Sequence, residues 1–271
     1  MITDKILAYL ANKEKSVNEA LLLHVGEAVK LAFKRRFFED DVFDTKGKLW
    51  GSSCGKCVRQ NAYNFLGVEK KGRKFDSRAK LVFWAGDIAE LTITILAKAA
   101  GVPITNIGAD QLHASIQIGD KKITLRPDGL VEGHLVEIKS MTSYSFERFE
   151  DSGPGEEYFA QVQAGMEALN LEKCVFVAYN KESSVLNERV INKDPAYIES
   201  IKKNAIRVFS STLETLPDRP MKPDAKGFYP WQCVYCDHSD TCLIETGLAE
   251  RVVVKNAYKM KAKEAVVNGT A

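Results

Sequence analysis

Thr124-Leu-Arg-Pro-Asp-Gly-Leu-Val-Glu-Gly-His-Leu-Val-Glu-Ile-Lys-Ser140 is the stretch whose reading decides the fold. An apolar run ends at Pro127-Asp128, and a second strand-like run carries Glu137-Ile138-Lys139. Successive side chains in a strand point to opposite faces, so Glu137 and Lys139 leave the same face. Neighbouring strands lie roughly 5 Å apart, close enough for Asp128 and Glu137 to share one divalent cation. Hard carboxylate oxygens suit Mg²⁺ or Mn²⁺. Such a cation lowers the pKa of its water and polarises phosphate oxygens. Lys139 would stand beside it, placed to orient or help deprotonate an attacking water and to offset phosphate charge. Taken singly, the pieces are ordinary, because acid-x-lysine occurs in many strands and Pro-Asp-Gly is a turn signal. Their combination carries the reading.

Upstream, Glu90 sits within an apolar run that includes Leu81, Phe83, Trp84, Ile88, Leu91, Ile93 and Leu96. A carboxylate on a largely buried helix is costly without a partner. Glu90 or Asp87 therefore either faces solvent or supplies a third metal ligand. Gly86, on the same face, would let the helix approach a sheet or DNA closely. Downstream, Gln161 and Gln163 lie in the helical segment from Glu156 to Leu169. A glutamine there is either a surface residue, the usual case, or a hydrogen-bonding partner of a phosphate or a catalytic carboxylate. Ser140, next to Lys139, has the same two options.

Outward from this centre the periodicity predicts the elements. Apolar residues from Val17 to Phe38, among them Ala20, Leu23, Val25, Ala28, Leu31 and Ala32, predict an amphipathic helix. Its basic end, Lys34-Arg35-Arg36, suits a helix C-terminus. Ser52 or Ser53 is the expected cap of a helix carrying Arg59, Tyr63 and Leu66 and stopping at Gly67. A longer helix is expected from Asp76 or Ser77 to Gly101. Leu112–Ile118 and Lys121–Leu125 alternate around Gly119-Asp120, the pattern of a β-hairpin. Leu135–Ile138 is a further strand. Tyr144–Phe149 and Glu156–Leu169 read as helices separated by Ser152-Gly153-Pro154-Gly155. Cys174–Tyr179 and Ser184–Ile191 read as paired strands, Ala196–Leu216 as a helix, and Val252-Val253-Val254 as a last strand before a basic tail. Helices before and after a β-rich centre give an α/β core with helical additions.

Composition bounds the partners. The 271 residues are 45% hydrophobic and 27% charged, with a net charge of only +2. These fractions suit a globular chain with a sizeable core. Basic clusters occur at Lys34–Arg36, at Lys70-Lys71 with Arg73-Lys74, at Lys202-Lys203 and from Lys255 to Lys263. They read first as solvated faces and second as phosphate-contacting surface. The N-terminus lacks the pattern of a secretory signal, and no apolar stretch is long enough to span a bilayer. A reducing, cytoplasmic location is the expectation, so the six cysteines are not expected to form a disulfide framework.

Cys233-x2-Cys236-x5-Cys242 lies near the C-terminus among Trp231, Tyr235 and His238, and Cys54-x2-Cys57 lies near the N-terminus. Cys174, in an apolar strand, reads as a core thiol. Four thiolates can hold zinc or a 4Fe-4S cluster. The two C-x2-C pairs allow a zinc site of Cys54, Cys57, Cys233 and Cys236. A cluster held by one N-terminal cysteine and three C-terminal ones also employs Cys242. Either would tie the two ends of the chain together.

With these residues in order, the chain resembles the RecB-like branch of the PD-(D/E)XK nucleases, and within it the iron-sulfur members: the CRISPR-adaptation nucleases, the AddB nuclease domain and related phage exonucleases. The matching residues are Ser53, Cys57-Val58-Arg59, Tyr63, Leu66-Gly67, Gly86-x3-Glu90, Pro127-Asp128-Gly129, Glu137-Ile138-Lys139-Ser140, Gln161 and Cys233-x2-Cys236-x5-Cys242. Three features depart from the pattern. Glu90 stands where many relatives have histidine, Gly165 stands where the family's Q-x3-Y motif places tyrosine, and there are two N-terminal cysteines rather than one.

The resemblance implies a restriction-endonuclease-like core, a mixed central sheet flanked by helices, with helical N- and C-terminal additions joined by a metal cluster. It implies an N-terminal helical region at 1–75, a nuclease core at 76–215 and a cysteine-rich region with a basic tail at 216–271, integrated in one domain. It implies Asp128, Glu137, Lys139 and Gln161 as catalytic residues, and Glu90, Asp128 and Glu137 as ligands of Mg²⁺ or Mn²⁺. It implies Cys57, with Cys54 in reserve, joining Cys233, Cys236 and Cys242 around a structural 4Fe-4S cluster, zinc being the alternative. The implied activity is exonucleolytic cleavage of DNA at single-stranded or duplex ends, in recombination, repair or phage DNA processing. A recombinase, a helicase or a CRISPR integrase would be the partner, in a bacterial cytoplasm, the protein being cellular or phage-encoded. The competing readings are a non-catalytic DNA-binding subunit of a recombination complex and a zinc-stapled endonuclease of restriction type.

Overall fold

The structure is a computed structural model that describes residues 1–16, 18–38, 45–71, 77–105, 112–255 and 257–263. Val17, Arg73-Lys74, Asp76 and the end of the basic tail, 264–271, lie outside the described residues. The chain forms two compact units. The first comprises Met1–Asp44, Leu49–Gly55 and Ser77–Lys203; the second comprises Thr45–Lys48, Lys56–Asp76 and Asn204–Ala271.

The first unit is built on a mixed sheet whose strands are β2 (Ile104–Thr105), β5 (Gly129–Val131), β6 (His134–Met141), β7 (Lys173–Asn180) and β8 (Leu186–Asn192), in the order β2-β5-β6-β7-β8. β6 and β7 run parallel, with Glu137 opposite Phe176, and the other pairs are antiparallel. Period-two alternation on β6 divides the core. Val136 and Ile138 pack with Ile2 and Ile6 of α1 (Ile2–Ala11) and Ile93 and Ala97 of α4 (Ser77–Ala99). Leu135 and Met141 pack on the other face with Phe146 and Phe149 of α5 (Ser143–Ser152) and Val162 and Met166 of α6 (Glu156–Leu169). This mixed sheet with helices on both faces is the α/β core that the sequence leads one to expect. A smaller sheet adds β1 (Leu49–Trp50), β3 (Ala114–Ile118) and β4 (Lys121–Leu125), in the order β1-β4-β3. Gly119, at φ +59°, turns the β3–β4 hairpin, a conformation that suits glycine.

Several expectations need correction. α2 (Glu19–Phe37) is helical, but none of its residues is buried. Its apolar positions do not form a core stripe, since Leu23, Leu31 and Phe33 are exposed. α2 is instead tied to α4 by Arg36, which grips Asp87 through bonds of 2.9–3.1 Å, and by Phe33 and Phe37 against Trp84. Neither Ser52 nor Ser53 caps a helix; they lie in a 3-10 turn (Gly51–Ser53). Asp128 lies just before β5 rather than within a strand. Gly86 is not demanded by close packing, because a methyl group there would meet Ser140 Oγ at an ordinary 3.9 Å.

α1 was not evident from the sequence. Its first backbone N–H groups, those of Ile2 and Thr3, donate to the buried carboxylate of Glu188 on β8. A negative charge there satisfies orphan donors and complements the helix dipole.

The second unit contains α3 (Val58–Leu66), which Cys57 precedes and which ends at Gly67 in the left-handed conformation at φ 70°, as expected. α7 (Pro195–Phe209) stops before the anticipated Leu216, and Thr212 then bonds the backbone N–H groups of Glu214 and Thr215 in a local turn. α8 (Trp231–Val234) carries Cys233 and a single π turn (Asp240–Ile244) carries Cys242, with Cys236 between them. β9 (Ala249–Val254) and β10 (Ala257–Ala262) form an antiparallel hairpin, so part of the expected basic tail is strand. Among the described residues no helix is long and apolar enough to cross a membrane.

Gly55 gives a test of the packing of the first unit. A Cβ there would lie 2.5 Å from Glu157 Cα and 2.9 Å from Glu156 O, both backbone atoms of α6. Gly55→Ala is expected to cost about 1–3 kcal/mol through overpacking, read as a lower midpoint of urea denaturation. An unchanged midpoint would contradict this close approach.

Candidate active site and cysteine centre

The Pro127-Asp128 corner sets the first acid. Asp128 Oδ2 accepts a 2.8 Å hydrogen bond from the Ile138 N–H, which fixes the carboxylate against β6. Glu137 is only 2% exposed and Asp128 7%, so both acids are buried. Lys139 lies two residues along β6, on the same face as Glu137. Its ammonium bonds Glu137 Oε1 and stands 3.8 Å from Asp128 Oδ2. From α6, Gln161 Nε2 donates to the same Glu137 oxygen at 2.6 Å. The Tyr158 ring, one turn before Gln161, has its centroid 5.9 Å from the Lys139 ammonium.

Electrostatics follow from this geometry. Burial, reinforced by the charge of Asp128, pushes the Glu137 carboxyl up to about 7. Burial and the charge of Asp128 likewise hold Glu90, on α4, well above the ordinary carboxyl range. Burial works to lower the Lys139 pKa, but Glu137, Asp128 and Glu90 together outweigh it and keep the ammonium protonated. Glu90 thus belongs electrostatically to the group, whereas Asp87 is taken up by Arg36. The two glutamines are also separated: Gln161 reaches Glu137, while buried Gln163 bonds Asn192 O and the Asp194 N–H and clamps the approach to α7.

A cavity of about 110 Å³ opens beside Glu137 and Gln161, lined also by Trp50, Arg126 and Gly165. The Arg126 guanidinium lies 5.4 Å from the centroid of the Trp50 ring. Sequence reasoning missed this pair, since only the parallel pairing of β1 with β4 brings Trp50 beside Thr124. At Gly165 a Cβ would come within 2.8 Å of Leu135 Cδ2, so a tyrosine there would require Leu135 to move.

In the second unit Cys57, Cys233, Cys236 and Cys242 line one cleft, with Tyr63 and Leu243 among its other walls. Burial, and then the proximity of other thiols, pushes Cys233 up to about 12; burial likewise pushes Cys236 up to about 12. Cys54 belongs to the first unit, where its Sγ approaches Trp50 O at 3.8 Å. Fully buried His238, between Cys236 and Cys242, bonds Asn64 Oδ1 at 3.0 Å and packs on Tyr63, fixing the cysteine loop to α3. Arg219 Nε donates to Cys242 O. Cys174 is a core thiol in the first unit.

Among the described residues no three His, Cys, Asp or Glu side chains stand together as a ready-made metal-binding group. The donor chemistry nevertheless fits. One group offers carboxylate oxygens held close enough to perturb one another, and the other offers four thiols around one cleft.

No protein-family model matches the chain, and no curated protein matches it. The crystal structure of SSO0001 is similar at 17% identity, with a TM-score of 0.50 over 80% of this chain and 95% of that one. The likeness is one of fold. The alkaline exonuclease LHK-Exo of Laribacter hongkongensis matches at 20% identity and a TM-score of 0.46, over 61% of this chain and 88% of its own. A phage-related exonuclease of Haemophilus somnus matches at 15% identity and a TM-score of 0.35, over 59% of this chain and 91% of its own. At those scores the two exonucleases stand as distant similarities.

The buried acid gives a pH-dependent prediction. The Glu137 carboxyl at about 7 stands above the ordinary glutamate value near 4.3. Between those values the folded chain binds more protons than the unfolded one, so this group's contribution to stability falls as pH rises. Glu137→Gln is expected to flatten that fall in urea denaturation measured in EDTA at about pH 5 and about pH 7. An unaltered slope would contradict the placement of Glu137.

Proposed function

We propose that the chain is a divalent-metal-dependent DNA exonuclease of the RecB-like PD-(D/E)XK type, cleaving phosphodiester bonds at single-stranded or duplex ends. The observation that carries the reading is the convergence of Asp128 and Glu137, both buried, on the Lys139 ammonium. Asp128, Glu137 and Glu90 would hold Mg²⁺ or Mn²⁺. When bound, such a cation supplies Lewis-acid stabilisation of phosphate charge and a more acidic water. The chain's own residues do the rest. Gln161 and the Ile138 N–H orient the two carboxylates. Lys139, held protonated, meets the scissile phosphate as a cation and orients the attacking water rather than removing its proton. The choice of DNA and of ends rests on the family resemblance of the ordered motifs. So does a place in recombination, repair or phage DNA processing, with a recombinase, helicase or CRISPR integrase as partner.

Lys139→Ala is expected to abolish Mn²⁺- or Mg²⁺-dependent release of label from end-labelled single strands while leaving the circular dichroism spectrum and DNA binding intact. Cleavage at the wild-type rate by this variant contradicts the assignment. Wild-type protein that binds but does not cut single-stranded, duplex or flapped DNA contradicts the catalytic reading and supports a DNA-binding subunit.

The cysteine centre of the second unit is proposed to hold a structural 4Fe-4S cluster on Cys57, Cys233, Cys236 and Cys242. Their sulfur-only chemistry supports it, as does the one cleft that all four line. Purified without oxygen, the protein should be brown, with broad visible absorption that Cys236→Ser removes. A colourless, zinc-containing preparation contradicts the cluster and favours zinc.

A further inference from the structure

The second unit carries an aromatic surface that neither the candidate active site nor the cysteine centre employs. Trp231 is 62% exposed, Tyr235 55% and Tyr258 71%. All three rings line a groove of about 520 Å³, and Tyr235 and Tyr258 continue into an adjoining one of about 610 Å³. Exposed rings of this size are not explained by packing. They are also held in place. The Tyr229 N–H donates to Met260 O at 2.9 Å, and Phe228 bridges Lys261, so the segment leading into Trp231 is fastened to β10, which bears Tyr258. Trp231 and Tyr235 lie one helical turn apart, with ring centroids 6.5 Å apart.

Charge selects the occupant. Lys222 and Lys259 line the same groove. Among the described residues neither Lys222 nor Lys259 has a carboxylate partner, and the Lys259 ammonium lies 5.0 Å from the centroid of the Phe228 ring. Arg251, at the second groove, is engaged by Asp240 at 2.6 Å. The one acid among the described residues that line the first groove, Asp224, is occupied in a turn, accepting from the Lys226 and Phe228 N–H groups. Lysine is depleted in protein–protein interfaces. Lysines and exposed rings lining one groove match instead the backbone and base faces of an unpaired strand, where stacking supplies sequence-tolerant affinity.

We propose that the groove bearing Trp231, Tyr235 and Tyr258 is a stacking platform for single-stranded DNA, with Lys222 and Lys259 on its phosphates. The inference deepens the nuclease reading by naming an unpaired strand as the bound form. Its test is carried out in EDTA, where cleavage is silent, so the two readings fail separately.

The test uses the full chain and a fluorescein-labelled oligothymidylate, read by anisotropy and by quenching of tryptophan emission. Wild-type protein should bind, with quenching that is lost in Trp231→Phe. Trp231→Ala and Tyr258→Ala should each weaken binding roughly fivefold or more, the scale of one base stack, while Trp231→Phe retains most of the affinity. Lys222→Glu with Lys259→Glu should weaken binding and make its salt dependence shallower. Unchanged affinity in both alanine variants overturns the proposal. So does equal loss in Trp231→Phe and Trp231→Ala, which marks a structural role. Wild-type protein that does not bind the strand, or a concentration-dependent dimer abolished by Tyr258→Ala in place of strand binding, also overturns it and assigns the surface to a protein partner.

Discussion

Glu137 is buried beside a second acid, and that burial is the constraint on which the first unit depends. An isolated ionised carboxylate in a protein interior is strongly disfavoured, and placing Asp128 nearby increases the cost. The fold offsets it with directed partners. β6 sends Lys139 out of the same face as Glu137, the backbone N–H of Ile138 turns toward Asp128, and α6 brings Gln161 to the Glu137 oxygen that Lys139 also bonds. Two of these partners lie on β6 and the third on α6. Shifting β6 by one residue would move Glu137 and Lys139 to the α1–α4 face and break the set. The group is therefore held by sheet register more than by local loop conformation, and it remains poised for a further positive charge, since Glu137 and Glu90 both titrate upward without one.

Much of this was legible because it is local. Alternation around Gly119-Asp120, the acid-x-lysine spacing on β6 and the stop at Gly67 depend on neighbours a few residues away, and the structure places all three as expected. The parts that were not legible depend on distant pairing. Glu188 receives the start of α1 from the far end of the unit, a contact no periodicity encodes. Trp50 reaches the cavity beside Glu137 because a two-residue strand pairs parallel with β4. Gln161 and Gln163 are indistinguishable by type, and only the rotation of α6 sends one to Glu137 and the other to Asn192. α2 fails in the opposite sense: its apolar spacing is real, but the helix lies over α4 with Leu22, Leu23 and Leu31 exposed.

The second unit is organised differently. One of its core clusters, Tyr229, Leu243, Ala249, Met260 and Ala262, is small, and polar fixings add to it. His238 on Asn64 and Arg219 on the Cys242 carbonyl hold the cysteine loop, while β10 holds the segment that leads to Trp231. A sulfur-bound centre would suit a unit of this kind, since small cores gain stability from metal cross-links. It would also brace the segment that displays the exposed rings.

Cation binding at the carboxylate group tests the account most directly. Calorimetric titration of EDTA-treated, extensively dialysed protein with Mn²⁺ should show saturable binding that releases a proton when measured below about pH 7, because Glu137 must give up its proton to become a ligand. Asp128→Asn should remove this binding while the protein remains folded. Wild-type protein that takes up no Mn²⁺, or Asp128→Asn protein that binds it as tightly as wild type, would contradict the claim that this buried group is built to hold a cation.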